Sequence, residues 1–269
     1  MPPAETPASE GAAYAQPTPK VLYVHDDLTA EVRRRLGADS PAAALARALF
    51  AALARDPARV VVLTVEEQVE RVVAQGAHGP FALALGIGRA GVRVAEALHT
   101  RAGWFPRIRR VGLTREEDGR GGYRVVSTEA ASLADQLEGV DTAASLAVVD
   151  DTVFSGLTMR TVLAALSPEV RARTRAFALR GVAESVLPLA ALCPITVGVA
   201  APGRILHDVS FLNATGLVLR VAIRRRGAPP LAFFERPQWI RAWFPGRADE
   251  VLDLCRRLNA LLEAGPDLA

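Results

Sequence analysis

Cysteine occurs only twice in the 269 residues, as Cys193 and Cys255, with neither metal-ligand spacing nor the pattern of a disulfide framework. That argues against a cysteine-stapled extracellular scaffold and against a thiolate zinc site. It fits a reducing, cytoplasmic setting with both thiols in the core. Lysine is scarcer still: Lys20 is the only one, so the basicity of the chain is arginine. The 32 basic residues face 29 acidic ones for a net charge of +3, too even a balance to argue for nucleic acid. No run of eighteen uninterrupted apolar residues exists, so no membrane span is expected. The first nineteen residues are rich in Pro and Ala, carry Glu5 and Glu10, and lack the apolar centre of a signal peptide. They read as a disordered tail. There is no internal repeat and no helix-turn-helix with a basic face.

What is present suits one full hydrophobic core: half of the chain is hydrophobic, and residues 20–269 are expected to form a single domain. From residue 60 to 200, short apolar runs alternate with helical patterns, which predicts an α/β fold with a parallel sheet of about five strands and right-handed crossovers. Strands are expected at 21–24, 60–64, 81–85, 107–114, 124–127, 146–149, 175–182, 195–200 and 217–223. A last helix at 248–263 should bury Val251, Leu254, Leu258 and Leu261.

Two stretches carry chemistry. The first is LAVVDDTVFSGLTM, residues 146–159. A buried strand ends in Asp150 and Asp151, and Thr152, Val153 and Phe154 lead to Ser155, Gly156, Leu157 and Thr158 at the start of a helix. Paired carboxylates accept hydrogen bonds from a diol or hold a hard cation such as Mg²⁺. A helix start with free N–H groups and hydroxyls holds an anion. A sugar phosphate satisfies both halves; an Asp pair before an ordinary Ser cap is the plainer alternative.

The second stretch is GIGRAG, residues 86–91, between a strand and a helix. Alone it reads as a dinucleotide-binding fingerprint, which would suit an NAD(P)-binding oxidoreductase, though it lies far from the usual first βαβ unit. It reads equally as a diphosphate loop, in which Gly88 and Ala90 offer backbone N–H groups and Arg89 a forked cation. Another Asp pair, Asp26–Asp27, precedes a helix and reads either as a cap or as a metal site.

The first stretch resembles the phosphoribosyl diphosphate (PRPP) binding motif of the type I phosphoribosyltransferases, and GIGRAG is similar to the diphosphate loop of the same family. The resemblance implies a parallel-sheet core at about residues 58–200 with a hood from 20–57 and 201–269. It implies Mg²⁺, held by Asp150 and Asp151 directly or indirectly, and transfer of a phosphoribosyl group to a nitrogen acceptor. Arg89, Arg115 and Arg120 would stabilise the diphosphate, the latter two from a charged, glycine-rich loop at 114–123 that reads as a lid or as a solvated hairpin tip. Acceptor contacts would come from Arg180, His207, Asp208 and Phe211; Arg180 reads also as a surface residue and His207 as a structural one. In the 6-oxopurine branch the position of Phe154 carries an Asp base, which Phe cannot replace, so hypoxanthine and guanine are disfavoured. A regulator that binds PRPP without turnover is the alternative, and homodimers are common among relatives.

Overall fold

A computed structural model describes residues 21–118, 122–202 and 211–264. The tail expected at 1–19, Arg120, His207 and Asp208 lie outside them. The chain enters on strand β1 (Leu22–His25) and continues through helices α1 (Leu28–Leu36) and α2 (Pro41–Leu53). Asp26 caps α1 by accepting from the Thr29 N–H at 2.9 Å, and Ser40 caps α2, with Pro41 in the first turn. Strand β2 (Val60–Leu63) precedes α3 (Val65–Val73), opened by a reciprocal capping box between Thr64 and Glu67.

The middle of the chain is β3 (Leu83–Ile87), α4 (Gly88–Ala102), β4 (Ile108–Val111), β5 (Leu113–Glu117) and β6 (Tyr123–Ser127). Then come α5 (Leu133–Gln136), β7 (Leu146–Val153), α6 (Leu157–Ala165), α7 (Pro168–Ala172), β8 (Thr174–Val182), α8 (Ala183–Ala190) and β9 (Ile195–Ala201). The last third supplies β10 (Phe211–Asn213), α9 (Ala214–Val218), β11 (Ile223–Arg225), β12 (Ala228–Leu231), α10 (Pro237–Trp243) and α11 (Ala248–Ala264).

The protein is α/β, built on a five-stranded, wholly parallel sheet in the order β4-β3-β7-β8-β9. Its central strands are apolar without alternation because helices cover both faces. Leu146 and Val148 of β7 pack with Met159, Val162 and Leu163 of α6. Ala147 and Val149 pack with Ala95 and Leu98 of α4 and Val69 and Val72 of α3.

A second parallel sheet, β10-β1-β2, joins the two ends of the chain. Its core is shared by α1, α2, α9, α10 and α11. A third sheet, β12-β11-β5-β6, joins the hairpin of β5 and β6 to that of β11 and β12.

Four expectations change. Residues 60–63 pair with β1 and not with the central sheet, whose strands begin at β3; a four-residue apolar run carries no mark of which sheet it joins. The strand expected at 107–114 is two strands in different sheets, divided at Gly112, whose N–H is taken by the Gln136 side chain at 2.6 Å. The strand expected at 217–223 is mostly α9 and a turn. There Asp27 accepts both the N–H and the hydroxyl of Thr215 from 188 residues away, starting a helix where local composition favours a strand. In α11 Val251, Leu254 and Leu258 are buried as expected, but in the last turn Leu262 is buried and Leu261 is 36% exposed.

Candidate active site

In the central sheet β3 lies between β4 and β7, so the chain leaves β3 toward one neighbour and later returns on the other side. Open parallel sheets bind ligands at the carboxyl ends of the strands where that reversal occurs. Both singled-out stretches end there, GIGRAG where β3 passes into α4 and the Asp pair where β7 passes toward α6.

GIGRAG forms no extended loop. Strand β3 runs to Ile87 and α4 begins at Gly88, whose φ of 60° turns the chain. Gly91 is needed for packing, since a Cβ there would collide with the Val149 carbonyl of β7; one on Gly86 would come 2.6 Å from the Val92 nitrogen. Arg89 and Ala90 are exposed in the first turn of a fifteen-residue helix that lacks a side-chain cap.

The Asp pair lies within β7, not beyond it, because β8 continues the ladder as far as Val153 and Gly181. The two carboxylates are not equivalent. Asp151 Oδ2 accepts from Arg180 Nη2, Asn213 Nδ2 and the Thr152 hydroxyl, each at 3.1 Å. Burial alone would raise its pKa, but Arg180, Asn213 and His25 outweigh that and hold it at about 2. Asp150 Oδ1 accepts the N–H of Asp151, at 2.8 Å. Burial and the neighbouring Asp151 charge push Asp150 well above the usual carboxylate range, against an opposing contribution from Arg115. Of the pair, Asp150 is therefore the one that takes a proton first.

Arg180 is fully buried. Its Nη1 donates to Gln68 Oε1 at 3.0 Å, and Nη2 donates to Asn213 Oδ1 at 2.7 Å as well as to Asp151. It is not a surface residue, and both terminal nitrogens are taken up inside the protein, away from an acceptor. Gln68 Nε2 lies 2.7 Å from His25 Nδ1. Burial and Arg180 keep the imidazole well below its ordinary pKa, so it is neutral and accepts from the amide.

Beyond the pair, Thr152 and Val153 are buried; Val153 is core, and its side chain does not line the crevice. Phe154 is half-buried, with the Arg115 guanidinium carbon 5.6 Å from its ring centroid and 5.9 Å from that of Tyr123. Arg115 thus belongs to strand β5, not to a free loop. Glu117 of that strand pairs with Arg225 of β11, which anchors the expected lid. Ser155 Oγ accepts from the Leu157 N–H at 3.3 Å, and Gly156 takes φ 67°. Leu157 and Thr158 are half-buried in the first turn of α6.

Phe211 is fully buried and stacks on Tyr23 at 5.4 Å, so it is core and not an acceptor platform. Asp26 and Asp27 both accept from backbone N–H groups at helix starts, of α1 and α9, as the cap reading expects. Gln68, His25 and Asn213 escape the sequence reading. The single available signal is a Gln on the apolar face of α3, next to Val69 and Val72, where an aliphatic residue is expected.

Among the described residues no group of three His, Cys, Asp or Glu side chains could hold a metal ion. Three donors meet on Asp151 Oδ2, which leaves the other oxygen of that carboxylate and the Asp150 carboxyl as candidate contacts for a cation. A Mg²⁺ that keeps its waters and rides on phosphate oxygens needs no more than one or two carboxylates from the protein.

No family model matches the chain, and no curated protein matches it. Three solved structures illustrate its structural likenesses. The AQ2163 protein of Aquifex aeolicus is 15% identical with a TM-score of 0.32, over 45% of this chain and 54% of that protein, about half its length. A purine phosphoribosyltransferase of Pyrococcus horikoshii is 12% identical with a TM-score of 0.38, over 55% of this chain and 87% of the other. The APRTase of Giardia lamblia, complexed with 9-deazaadenine, is 12% identical with a TM-score of 0.35, over 56% and 84%.

Proposed function

We propose that the protein is a phosphoribosyltransferase, moving the phosphoribosyl group of PRPP to a nitrogen acceptor with release of diphosphate. The observation that carries this reading is convergence: two anion-competent helix starts and a carboxylate pair meet at one switch point of the parallel sheet. The spacing within VVDDTVFSGLT suits a ribose phosphate. The 5-phosphate would sit on the turn at Ser155, Gly156, Leu157 and Thr158, and the ribose hydroxyls would donate to Asp150 and to Asp151. The N–H groups at Gly88 and Ala90, with Arg89, would hold the diphosphate.

Arg115, close enough to Asp150 to act on its charge, is the second cation for the departing diphosphate. Arg120 belongs to the same connection between β5 and β6. Mg²⁺ bound with PRPP would neutralise diphosphate charge, with Asp150 and Asp151 as its direct or water-mediated protein contacts. Phe154 cannot remove a proton, so the acceptor is a nitrogen that needs no base there, which disfavours 6-oxopurines. His207 and Asp208 stay as acceptor candidates.

The test is calorimetric titration with PRPP and Mg²⁺, followed by diphosphate release against a panel of bases, amines and heterocyclic acids. Binding together with release for one acceptor class is expected. Binding without release for any acceptor would replace the enzyme with a PRPP-sensing regulator. Binding of NAD(P)H and not of PRPP would sink both in favour of a dinucleotide-binding protein.

A further inference from the structure

The fully buried arginine at the end of β8 calls for an explanation. Taking a guanidinium out of water costs several kcal/mol, and such ion pairs are frequently no more stabilising than apolar packing. Here the cost is not even fully offset, because Arg180 Nε has no hydrogen-bond partner among the described residues. The group is nevertheless tied on three sides. Gln68 holds it from α3, Asn213 from the last position of β10, and Asp151 from β7. Asn213 also donates to the same Asp151 oxygen that Arg180 reaches, so Arg180, Asp151 and Asn213 close a ring of three hydrogen bonds.

Inside, His25 is 4% exposed and Gln68 and Arg180 are wholly enclosed; toward the switch point the Asp151 side chain is 18% exposed, and Asn213 is half-buried. Two of the members, His25 and Asn213, face each other in the register of β1 and β10, the sheet made from the chain's two ends. The position of the carboxylate is thus set by Arg180 on the neighbouring strand β8 and, from outside that sheet, by Asn213 and by Gln68 acting on Arg180.

We propose that Arg180 is a positioning residue: clamped by Gln68 and Asn213, it fixes the Asp151 carboxylate toward the ribose, so that donor binding depends on the docked strand β10. This deepens the phosphoribosyltransferase reading and rests on it. Asn213 is the informative position. It precedes α9 without giving a side-chain cap, so its truncation removes the clamp and spares the helix start.

The experiment measures the affinities of Mg²⁺-PRPP and of inorganic diphosphate with Mg²⁺ for the wild type, Asn213→Ala, Gln68→Leu, Asp151→Asn and the double variant Asn213→Ala/Asp151→Asn. The expected result is at least ~10-fold weaker PRPP binding in Asn213→Ala, a change of about 1.4 kcal/mol, with diphosphate affinity within about twofold of wild type. In the Asp151→Asn background the Asn213 substitution should add less than about twofold, because the clamp then has nothing to hold. Gln68→Leu, which touches Asp151 only through Arg180, should follow Asn213→Ala.

Equal losses for PRPP and diphosphate, or effects that add in the double variant, would reduce the network to a folding element and overturn the inference. So would unchanged PRPP affinity in Asn213→Ala. A wild type that binds no PRPP removes the functional reading and this inference together, whereas a binding wild type with insensitive variants removes the inference alone.

Discussion

The guanidinium of Arg115 lies over the ring of Phe154, 5.6 Å from its centroid, and so joins the hairpin of β5 and β6 to the strand that carries the Asp pair. A planar cation over an aromatic face contributes about 0.5–2 kcal/mol, and an ammonium does not reproduce the stacked fork. If Arg115 serves the departing diphosphate, Arg115→Ala should lower kcat/KM for PRPP by ~10²-fold, and Arg115→Lys should recover little of that. Steady-state diphosphate release checks both. Full activity in Arg115→Lys would show that charge alone suffices and that the stacking on Phe154 is incidental.

The two adjacent aspartates should respond oppositely to amidation. Asp150 has a folded pKa above its ordinary value of 3.8, so its ionisation costs stability as pH rises above that value. Asp150→Asn should therefore stabilise the protein at neutral pH, with the gain fading as pH falls through the raised folded pKa and gone once pH is below the ordinary 3.8. Asp151 is held at about 2 against an ordinary 3.8, so its contribution is present above 3.8 and is lost as pH falls toward 2. Asp151→Asn also strands the Arg180 charge and should destabilise by ~3–5 kcal/mol at neutral pH. Urea unfolding at pH 7 and pH 4 gives both signs. An Asp151→Asn protein as stable as wild type would mean that the Arg180 pair does not form in solution.

Gly91→Ala should be among the most damaging small substitutions in the chain. The added Cβ meets the Val149 carbonyl, which is backbone in the central strand and cannot step aside. A loss of about 1–3 kcal/mol or more is expected. Gly139→Ala, where nothing lies within 4 Å, should lose only the cost of its left-handed φ of 74°, ~1–2 kcal/mol. Equal denaturation midpoints for the two variants would contradict the close seating of α4 on β7.

Helix α11 gives a comparison between neighbours. Leu262→Ala should cost ~2–5 kcal/mol because its side chain is 4% exposed, and Leu261→Ala, at 36% exposure, should cost well under half as much. Thermal denaturation of the two variants reads the difference. A larger loss at Leu261 would place the helix face where the apolar spacing alone puts it.

The strongest local signals were legible in sequence. The apolar run 146–149, the Ser–Gly turn after Phe154, the glycine-bounded start of α4 and the hairpin between β5 and β6 all reflect short-range chemistry, and each is present. Relations imposed by distant residues were not legible. Asp150 and Asp151 read in sequence as the end of the strand, and in the structure the strand runs on past them to Val153 because β8 supplies partners. Residues 217–223 look like a strand, but Asp27 starts a helix just before them. Arg180, Gln68 and Asn213 come from three separate segments, and no spacing rule connects them. Phe211, an aromatic near His207 and Asp208, has the composition of a recognition element and turns out to fill the core beside Tyr23.

Strand β1 lies between β2 and β10, and Asp27 just beyond it is bonded to a residue 188 positions later. During synthesis at roughly 5–20 residues per second, the first strand would wait on the order of ten to forty seconds for that neighbour. Through that interval Leu22, Val24, Leu28 and Val32 lack helices α9, α10 and α11, which later complete their core, while the strands of the central sheet are made one after another. The long-range closure of β1 on β10 is therefore expected late in folding, and the interval before it should be when the nascent chain is most exposed to chaperones, proteases and aggregation.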